Sequence, residues 1–263
     1  MHNKVSVVTT VYNGEKYIEH SIRSILGQTF EDFEYLIVDD GSTDGTLKKI
    51  QHINDPRIRV LRQNNQGQTN ALINGIKQAN GELIARLDAD DYSLPNRLMR
   101  QVEYMNSHPK VLLCSSRFEE LHQENLLPQR VQFVSTNNEI KGNICYFNPF
   151  AHSAVMFRRD AYLKVGGYNK NYKIGMDYHL WTRLMEIGEV HNIDKAMTVV
   201  RIHNESISST QSRLTTIEGI KIRLSAYSRF GGNSFLISCL FLKSLTSLLL
   251  PLTIKNFFKE KIR

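Results

Sequence analysis

The sequence predicts an α/β fold: a mostly parallel sheet flanked by helices, followed by an α+β half and a helical C-terminal tail. In the first hundred residues, short apolar runs typical of buried strands alternate with amphipathic stretches typical of helices. The runs are 5–10, 35–38, 58–61 and 83–87, and the helical stretches between them are 15–26, 43–53 and 69–78. Repeated strand-helix-strand units place parallel strands side by side, with helices on both faces of the sheet.

Residues that favour helix starts stand before several of these stretches. Asn13 precedes the first and Ser42 precedes the second, and both side chains suit the N-cap position. Pro95 stands where a further helical stretch, 94–106, begins, and proline is favoured in the first turn of a helix. These positions support the predicted helix boundaries.

The regular alternation ends after an apolar run at 111–115, so we place a boundary near residue 110. Beyond it the pattern predicts a polar loop at 123–129, a helix at 137–144, a strand at 153–157, a helix at 177–187, one or two strands over 189–201 and a helix at 215–229. We therefore divide the chain into three regions, 1–110, 111–210 and 211–263. We expect the second region to pack against the sheet.

Composition bounds the possible functions only loosely. The chain of 263 residues is 41% hydrophobic and 22% charged, which is ordinary for a globular protein with a sizeable core. Its net charge of +7 is compatible with a phosphate-bearing substrate, anionic lipid or nucleic acid and selects none of them. The three cysteines form no CxxC pair, so neither a zinc site nor a disulfide framework is indicated. Residues 1–14 lack the pattern of a secretory signal, so we expect a cytoplasmic location.

The C-terminal segment 235–263 combines a strongly apolar run, 235–250, with the basic end KNFFKEKIR. A spanning helix needs roughly 20 consecutive apolar residues, and Lys243 and Pro251 interrupt this run. Two interpretations stay open: a helix that lies on an anionic membrane surface, and a helix that packs into the core.

Three carboxylates follow a predicted buried strand in the segment Leu87-Asp88-Ala89-Asp90-Asp91. Open α/β sheets bind their ligands at this end of the strands. Closely spaced carboxylates repel one another unless a cation offsets them, and their oxygens suit Mg²⁺ or Mn²⁺ that bridges to phosphates. The alternative is that Asp91 and its neighbours only cap the next helix. The position directly after the strand favours the metal.

Polar loops follow the other predicted strands as well. Residues 38–45 carry acids and two glycines, residues 9–14 carry hydroxyls and an aromatic ring, and residues 64–70 are polar with one glycine. Such groups hydrogen-bond a base or ribose and let the backbone approach a ligand. The alternatives are a plain turn in which Ser42 or Asp44 caps a helix, and a solvent-exposed loop.

Taken together, these loops resemble the nucleotide-sugar-binding half of family-2 glycosyltransferases, which have the Rossmann-like GT-A fold. The resemblance covers residues 4–100 and rests on SVVTTVYNGEKYIEHSIRSILGQTFEDFEYLIVDDGSTDGT and NNQGQTNALINGIKQANGELIARLDADD. It implies a UDP-sugar donor whose nucleobase contacts Thr10, Tyr12 and Asp40. It places Asn70 and Arg86 near the diphosphate or sugar, and Asp88 near the ribose and the metal. It further implies that Asp90, together with Asp88, binds the metal.

Two segments of the second half resemble the acceptor side of the same family, namely Gly166-Gly167-Tyr168 and the segment that begins at Met176. In Met176-Asp177-Tyr178-His179-Leu180-Trp181, the resemblance implies that Asp177 is the general base. The family commonly has an acid just before this residue, where this chain has Met176. The alternative role of Asp177 is helix capping. Tyr178 and Trp181 are candidates for contact with the acceptor, and the alternative is that they belong to the core.

The segment RIHNESIS resembles a family segment whose histidine approaches the metal and the leaving diphosphate, which here is His203. One imidazole would complete a shell that otherwise consists of oxygen ligands.

The resemblance implies an inverting transfer of one sugar from a UDP-sugar to a hydroxyl of a glycan or lipid-linked saccharide, with Mn²⁺ or Mg²⁺ and without a nucleic-acid partner. Processive members carry a QxxRW motif, whereas Leu180 precedes the only tryptophan here. Two other classes stay open: a nucleotidyltransferase, which would need a glycine-rich phosphate loop, and a non-catalytic module that binds a sugar nucleotide. The absence of GxGxxG disfavours a dinucleotide oxidoreductase.

Overall fold

The computed structural model describes residues 4–203 and 212–249. The strands are β1 (Val5–Val11), β2 (Phe33–Asp39), β3 (Ile58–Arg62), β4 (Leu83–Arg86), β5 (Tyr92–Ser93), β6 (Val111–His122), β7 (Asn125–Pro128), β8 (Met156–Arg158) and β9 (Glu189–Ile202). The helices are α1 (Ile18–Leu26), α2 (Thr46–Gln51), α3 (Gln68–Lys77), α4 (Arg97–Ser107), α5 (Asn137–Asn143), α6 (Arg159–Lys164), α7 (Met176–Ile187), α8 (Ser212–Phe230) and α9 (Ser234–Leu249). A short 3-10 helix covers His152–Ala154.

One mixed sheet runs through the described residues in the order β3-β2-β1-β4-β8-β6-β9-β5, with β7 paired to β6. The first four strands of this order are parallel to one another. Strand β8 is antiparallel to both β4 and β6, and β9 is parallel to β6. The carboxyl ends of β1 to β4 and of β9 therefore meet at one edge of the sheet, where the amino end of β8 also lies. The predicted α/β fold is confirmed.

The core lies on both faces of the sheet because successive side chains of a strand point in opposite directions. In β1, Val7 packs on the side of α1 with Ile22, while Val8 packs on the side of α3 with Leu72. Strands covered on both faces bury nearly every side chain, and all seven residues of β1 and of β2 are buried. Such strands appear in the sequence as continuous apolar runs, which is why they were predictable.

The first two helices begin later than predicted, at Ile18 and Thr46, and neither Asn13 nor Ser42 caps them. The alternative cap of the second helix, Asp44, is present, because its Oδ1 accepts from the N–H of Thr46 at 3.0 Å. Asn13 has a positive φ of 53° and joins the two loops instead. Its backbone N–H donates to Ser42 Oγ at 3.0 Å, and its Oδ1 accepts from the N–H of Thr43 at 2.8 Å. Asn13 and Ser42, the expected helix caps, therefore link the loops after β1 and β2, because each hydrogen-bonds the neighbouring loop rather than its own helix.

The second half differs from the prediction in detail. The polar loop expected at 123–129 contains β7, which forms a hairpin with β6. The strand expected at 153–157 begins only at Met156, because the 3-10 helix comes first. Of the one or two strands predicted over 189–201, the structure has one, β9, which runs to Ile202. The helix predicted at 137–144 is present as α5 and has a capping box between Thr136 and Glu139.

The C-terminal helices α8 and α9 cover one end of the second half. Ile237 of α9 joins the buried core, whereas Phe235 and Leu242 are 73% and 63% exposed. Helix α9 thus packs on one side and presents an apolar surface on the other. Within the described residues, no helix combines the length and the hydropathy needed to cross a bilayer. The end of the predicted tail, 250–263, lies outside the described residues.

Candidate functional site

A cavity of about 900 Å³ opens at the edge where the carboxyl ends of the parallel strands meet. The 3-10 helix before β8 contributes His152 to its wall, and the amino end of α7 contributes Met176 and Asp177. Among the residues predicted from the sequence, those that line the cavity are Thr10, Tyr12, Asp40, Asp88, Asp90, Asp177 and His203. The structure thus brings acids from β2, β4 and α7 to one space.

The loop after β1 forms one wall. Tyr12 is 51% exposed, and Thr10 is buried with an Oγ1 that has no hydrogen-bond partner in the described part of the chain. A Cβ on Gly14 would lie 2.5 Å from Val11 Cγ2, so this loop turns too tightly for a larger residue. A ring face and an unpaired hydroxyl suit a nucleobase, and the predicted base contacts of Thr10 and Tyr12 stay predictions.

Asp40 at the end of β2 holds the neighbouring loop in place. Its Oδ1 accepts from Gln63 Nε2 at 2.7 Å and from the N–H of Gln66 at 2.9 Å, and its Oδ2 accepts from the N–H of Gly67 at 2.8 Å. A Cβ on Gly41 would lie 2.9 Å from the backbone N of Asn65, which explains the glycine at this turn. Asp40 therefore shapes the cavity wall in addition to its predicted contact with the base.

Arg86 is fully buried and acts on Asp88. Its guanidinium donates to the carbonyl of Val8 at 3.3 Å and forms an ion pair with the Asp88 carboxylate. Burial is the largest single influence and opposes ionisation of Asp88. The charge of Arg86, together with the hydrogen bonds from Ser153 and Arg86 and the neighbouring His152, outweighs burial, so that the pKa of Asp88 is lowered. The side chain of Arg86 is enclosed beneath the strand ends and faces the cavity only through Asp88, and its predicted position near the diphosphate or sugar stays a prediction.

Both oxygens of Asp88 are engaged by neighbouring side chains. Besides Arg86, Gln68 Nε2 donates to its Oδ1 at 3.0 Å and Ser153 Oγ donates to its Oδ2 at 2.9 Å. The backbone N–H of Asp88 in turn donates to Ser153 Oγ at 3.0 Å. Asp88 thus lines the cavity as a fixed negative charge.

Asp90 and His203 meet across the cavity, with His203 Nε2 at 2.9 Å from Asp90 Oδ2. Burial, followed by repulsion from Asp88, raises the pKa of Asp90. His203 Nδ1 is buried and has no partner among the described residues. The structure thus brings these two predicted metal ligands within hydrogen-bond distance, and their role in metal binding stays a prediction.

Asp91 ties this pair to the end of β9. Its Oδ1 accepts from the backbone N–H of Arg201 at 2.8 Å, and its Oδ2 lies against Ser153 Oγ. Arg201 Nε also donates to the carbonyl of Asp90 at 3.1 Å. Helix α4 begins only at Arg97, so the alternative in which Asp91 caps the next helix does not apply.

The donor set fits a divalent cation that binds mainly through phosphates. In residues 4–203 and 212–249, no three acidic, histidine or cysteine side chains are arranged to hold a metal ion by themselves. Mg²⁺ commonly takes one or two protein ligands and completes its shell with water and substrate phosphates. Asp90 would supply a carboxylate ligand and His203 a nitrogen ligand. A cation would also relieve the repulsion from Asp88 that, after burial, raises the pKa of Asp90.

Asp177 is the second residue of α7 and faces the cavity. Burial raises the pKa of its carboxyl group to about 6. Hydrogen bonds from the N–H of Tyr178 and from Asn148 Nδ2 stabilise the ionised form and oppose this increase. The Asn148 bond is 3.1 Å long. A carboxyl group with this pKa is ionised at neutral pH and is still basic enough to take a proton, which suits a general base.

The structure corrects the acceptor contacts predicted for Tyr178 and Trp181. Trp181 is fully buried and packs edge-on against Phe150, with a ring separation of 6.1 Å. The Tyr178 hydroxyl donates to the carbonyl of Ile144 in the core. Only the first turn of α7 reaches the cavity, so both rings lie below it. Asn70 also lies outside the cavity wall, and its amide donates to the carbonyl of Gln66 at 2.8 Å.

Several residues of the site were not predicted. Gln68 and Ser153 hold Asp88, Asn148 holds Asp177, and Arg130 and Arg201 add positive charge to the cavity wall. Gln68 follows Gly67, which has a φ of 83° directly before α3. The glycine in front of the predicted helix is the signal that the sequence offers for Gln68. Ser153 and Asn148 are known only from the position of β8 beside β4.

Comparison with known families gives a direct match. Residues 6–166 match the model of glycosyl transferase family 2. The amylovoran biosynthesis glycosyltransferase AmsE of Erwinia amylovora is 32% identical, over 77% of this chain and 78% of the relative. The O-antigen biosynthesis glycosyltransferase WbnJ of Escherichia coli is 28% identical, over 90% of this chain and 94% of the relative.

Solved structures share the fold. Staphylococcus aureus TarS in complex with UDP-GlcNAc superposes with a TM-score of 0.71 at 20% identity, over 92% of this chain and 71% of that one. The mannosyltransferase PcManGT of Pyrobaculum calidifontis, in complex with GDP-Man and Mn²⁺, gives a TM-score of 0.65 at 18% identity, over 100% of this chain and 80% of that one. At these identities the likeness concerns the fold alone.

The raised pKa of Asp177 predicts a pH-dependent effect of Asp177→Asn on stability. The folded-state pKa of about 6 exceeds the ordinary value of 3.8, so protonated Asp177 favours folding at low pH and this contribution is lost as the pH rises through about 6. We expect the free energy of unfolding of Asp177→Asn, relative to wild type, to increase by about 2 kcal/mol between pH 4.5 and pH 7.5.

Urea unfolding at the two pH values measures this difference. Asp160→Asn is the matched control, because Asp160 is also the second residue of its helix, α6, but is exposed. If Asp177→Asn differs from wild type by the same amount at both pH values, Asp177 ionises like an ordinary acid and the base assignment loses its basis.

Proposed function

Since the chain belongs to glycosyltransferase family 2 and has the GT-A fold, we propose that it is an inverting enzyme that transfers one sugar from a UDP-sugar to an acceptor hydroxyl. Glycosyl transfer itself follows from the family. The observation that carries the finer proposal is the convergence of Asp40, Asp90 and Asp177 on one cavity from β2, the loop after β4 and α7.

The proposed base is Asp177. In a single displacement, its carboxylate takes the proton of the acceptor hydroxyl while that oxygen attacks the anomeric carbon and the nucleoside diphosphate leaves from the opposite face. Its pKa of about 6 supports this role at neutral pH. Because the nucleophile attacks opposite the leaving group in a single step, without a covalent intermediate on a second carboxylate, the configuration at the anomeric carbon inverts.

The proposed donor lies along the ends of β1 and β2. Tyr12 and Thr10 offer a ring and an unpaired hydroxyl to the base, and Asp40 holds the loop that faces them. The choice of uridine rests on the resemblance of residues 4–100 to the family and on the UDP and UDP-GlcNAc complexes of S. aureus TarS. The mannosyltransferase PcManGT was solved with GDP-Man, so GDP-sugars are the comparison donors in a donor screen.

The proposed cation site consists of Asp90 and His203, which would hold Mn²⁺ or Mg²⁺ together with the donor diphosphate. There the cation would neutralise the negative charge that grows on the leaving diphosphate. Asp88 has both oxygens engaged by Arg86, Gln68 and Ser153, so we propose that it acts through its fixed charge.

The proposed acceptor is a glycan or a lipid-linked saccharide. The names of two relatives, in amylovoran and O-antigen biosynthesis, support a cell-envelope polysaccharide. A lipid-linked acceptor would be met at the inner face of the cytoplasmic membrane. The exposed apolar side of α9, with Phe235 and Leu242, and the basic sequence after residue 250 support contact with an anionic surface there.

Transfer and donor binding should separate in two variants. Asp177→Asn removes the base and should lower kcat by about 10²- to 10⁴-fold with donor binding retained. Asp90→Ala removes a proposed ligand of the cation and should weaken Mn²⁺-dependent donor binding at least about tenfold. A screen of UDP-sugars with Mn²⁺ that follows UDP release, together with calorimetric titration of UDP, measures both effects.

Asp160→Asn serves again as the control and should leave both quantities unchanged, because Asp160 lies outside the cavity. Asp177→Asn that transfers sugar at the wild-type rate contradicts the base assignment. Binding of a UDP-sugar without turnover across a full acceptor panel would instead indicate a non-catalytic binding module.

If α9 contacts an anionic membrane, the protein should bind vesicles that contain phosphatidylglycerol at low salt. The double variant Phe235→Ser with Leu242→Ser should bind such vesicles at least about tenfold more weakly, because each side chain loses apolar surface for burial. Leu163→Ser is the control, since Leu163 is 56% exposed on α6 and lies apart from α9. Co-sedimentation measures the bound fraction, and wild-type protein that stays in the supernatant would contradict the contact.

A further inference from the structure

Glu218 of α8 binds the loop that leads into α7. Its carboxylate is 4% exposed and accepts three consecutive backbone N–H groups. Oε1 accepts from Lys173 at 2.9 Å, and Oε2 accepts from Ile174 at 3.0 Å and from Gly175 at 2.8 Å. Three converging amides on one carboxylate fix the position of a backbone more firmly than a single hydrogen bond does, because each bond is charge-assisted.

This loop ends where the proposed base begins. Gly175 directly precedes α7, and Asp177 is the second residue of that helix. Ile174 and Met176 line the cavity on either side of Gly175. Within residues 4–203 and 212–249, the hydrogen-bond partners of the Asp177 carboxylate are the Asn148 amide and nearby backbone N–H groups. The position of its carboxylate is therefore set by the backbone at the start of α7.

Packing holds the loop against α8 as well. A Cβ on Gly175 would lie 2.7 Å from Ile222 Cδ1, one turn beyond Glu218 on α8. On the opposite side, Thr69 Oγ1 of α3 donates to the carbonyl of Tyr172 at 2.9 Å. The loop is thus fixed between α3, beside the proposed donor, and α8, which lies beyond the part of the chain matched by the family model.

We propose that Glu218 is a positioning residue that sets the catalytic geometry of Asp177 through the backbone of residues 173–175. The inference rests on the proposed role of Asp177 as base. Small displacements of a reacting group cost large factors in rate, whereas donor contacts made on β1 and β2 are independent of this loop. Loss of Glu218 therefore affects the chemical step more than donor binding.

Glu218→Gln tests the proposal with little change in size. The amide has a single oxygen and turns an NH₂ group toward backbone N–H donors, so at least one of the three hydrogen bonds is lost. We expect kcat to fall about 10- to 100-fold with the KM for the donor nearly unchanged. Steady-state kinetics with a UDP-sugar and Mn²⁺ measure the two constants.

The pH profile of kcat/KM separates positioning from general damage to the fold. Burial is the largest cause of the raised pKa of Asp177, and the titratable groups that act on it or feel its charge are Asp88, Tyr168 and Tyr178. When the loop loosens, water reaches the carboxyl group and the acidic midpoint of the profile should move below about 6. A role in stability alone would leave that midpoint in place.

Glu186→Gln is the matched control. Glu186 also joins α7 to α8, through an ion pair of 2.8 Å with Arg229, but it lies at the far end of α7. This variant should keep the wild-type kcat and midpoint. If Glu218→Gln does not fold, Glu218→Asp keeps the charge, withdraws it by one methylene and should give the same changes.

A wild-type kcat in folded Glu218→Gln overturns the proposal, and so does a lower kcat with an unshifted or raised midpoint. Failure of the proposed function is recognised separately, because Asp177→Asn would then retain transfer whatever Glu218 does. Loss of transfer in Asp177→Asn with normal kinetics in Glu218→Gln rejects the positioning role alone.

Discussion

The crowding of carboxylates after β4 is the constraint on which the rest of the site depends. Burial and mutual repulsion raise the pKa of Asp90 and Asp91, so the loop requires compensating partners from elsewhere in the chain. Arg86 from beneath and Ser153 from the segment before β8 bind Asp88, and the end of β9 binds Asp91. The compensating partners of these acids therefore come from the segment before β8 and from the end of β9.

That arrangement also joins the two halves of the site. The sheet continues from β4 through β8 to β6 and β9, so the segment that carries His203 and the strand that carries the acids belong to one rigid layer. Asp177 reaches the same cavity from α7, and the loop that leads into this helix is bound by Glu218 of α8. The proposed cation ligands Asp90 and His203 and the proposed base Asp177 thus lie on different elements. A substitution can therefore alter one of these functions without the other.

The sequence predicts what depends on local pattern and misses what depends on long-range contact. The buried strands of the first half appear as continuous apolar runs, and the acids at their ends follow from strand direction. Trp181 lies one turn after Asp177, and this spacing favours one shared helix face. Its position in the core is decided by Phe150 and Phe157, which belong to distant segments. Glu218 carries no local signal either, because its partners are more than forty residues away.

A crystal structure with an intact UDP-sugar and Mn²⁺ would show whether donor, cation and Asp177 meet in this cavity. We predict an anomalous manganese peak at the carboxylate of Asp90 beside the donor diphosphate, with the uracil ring against the loop after β1 and the sugar facing Asp177. A donor bound outside this cavity, or a manganese ion held away from Asp90 while the sugar turns from Asp177, would contradict it.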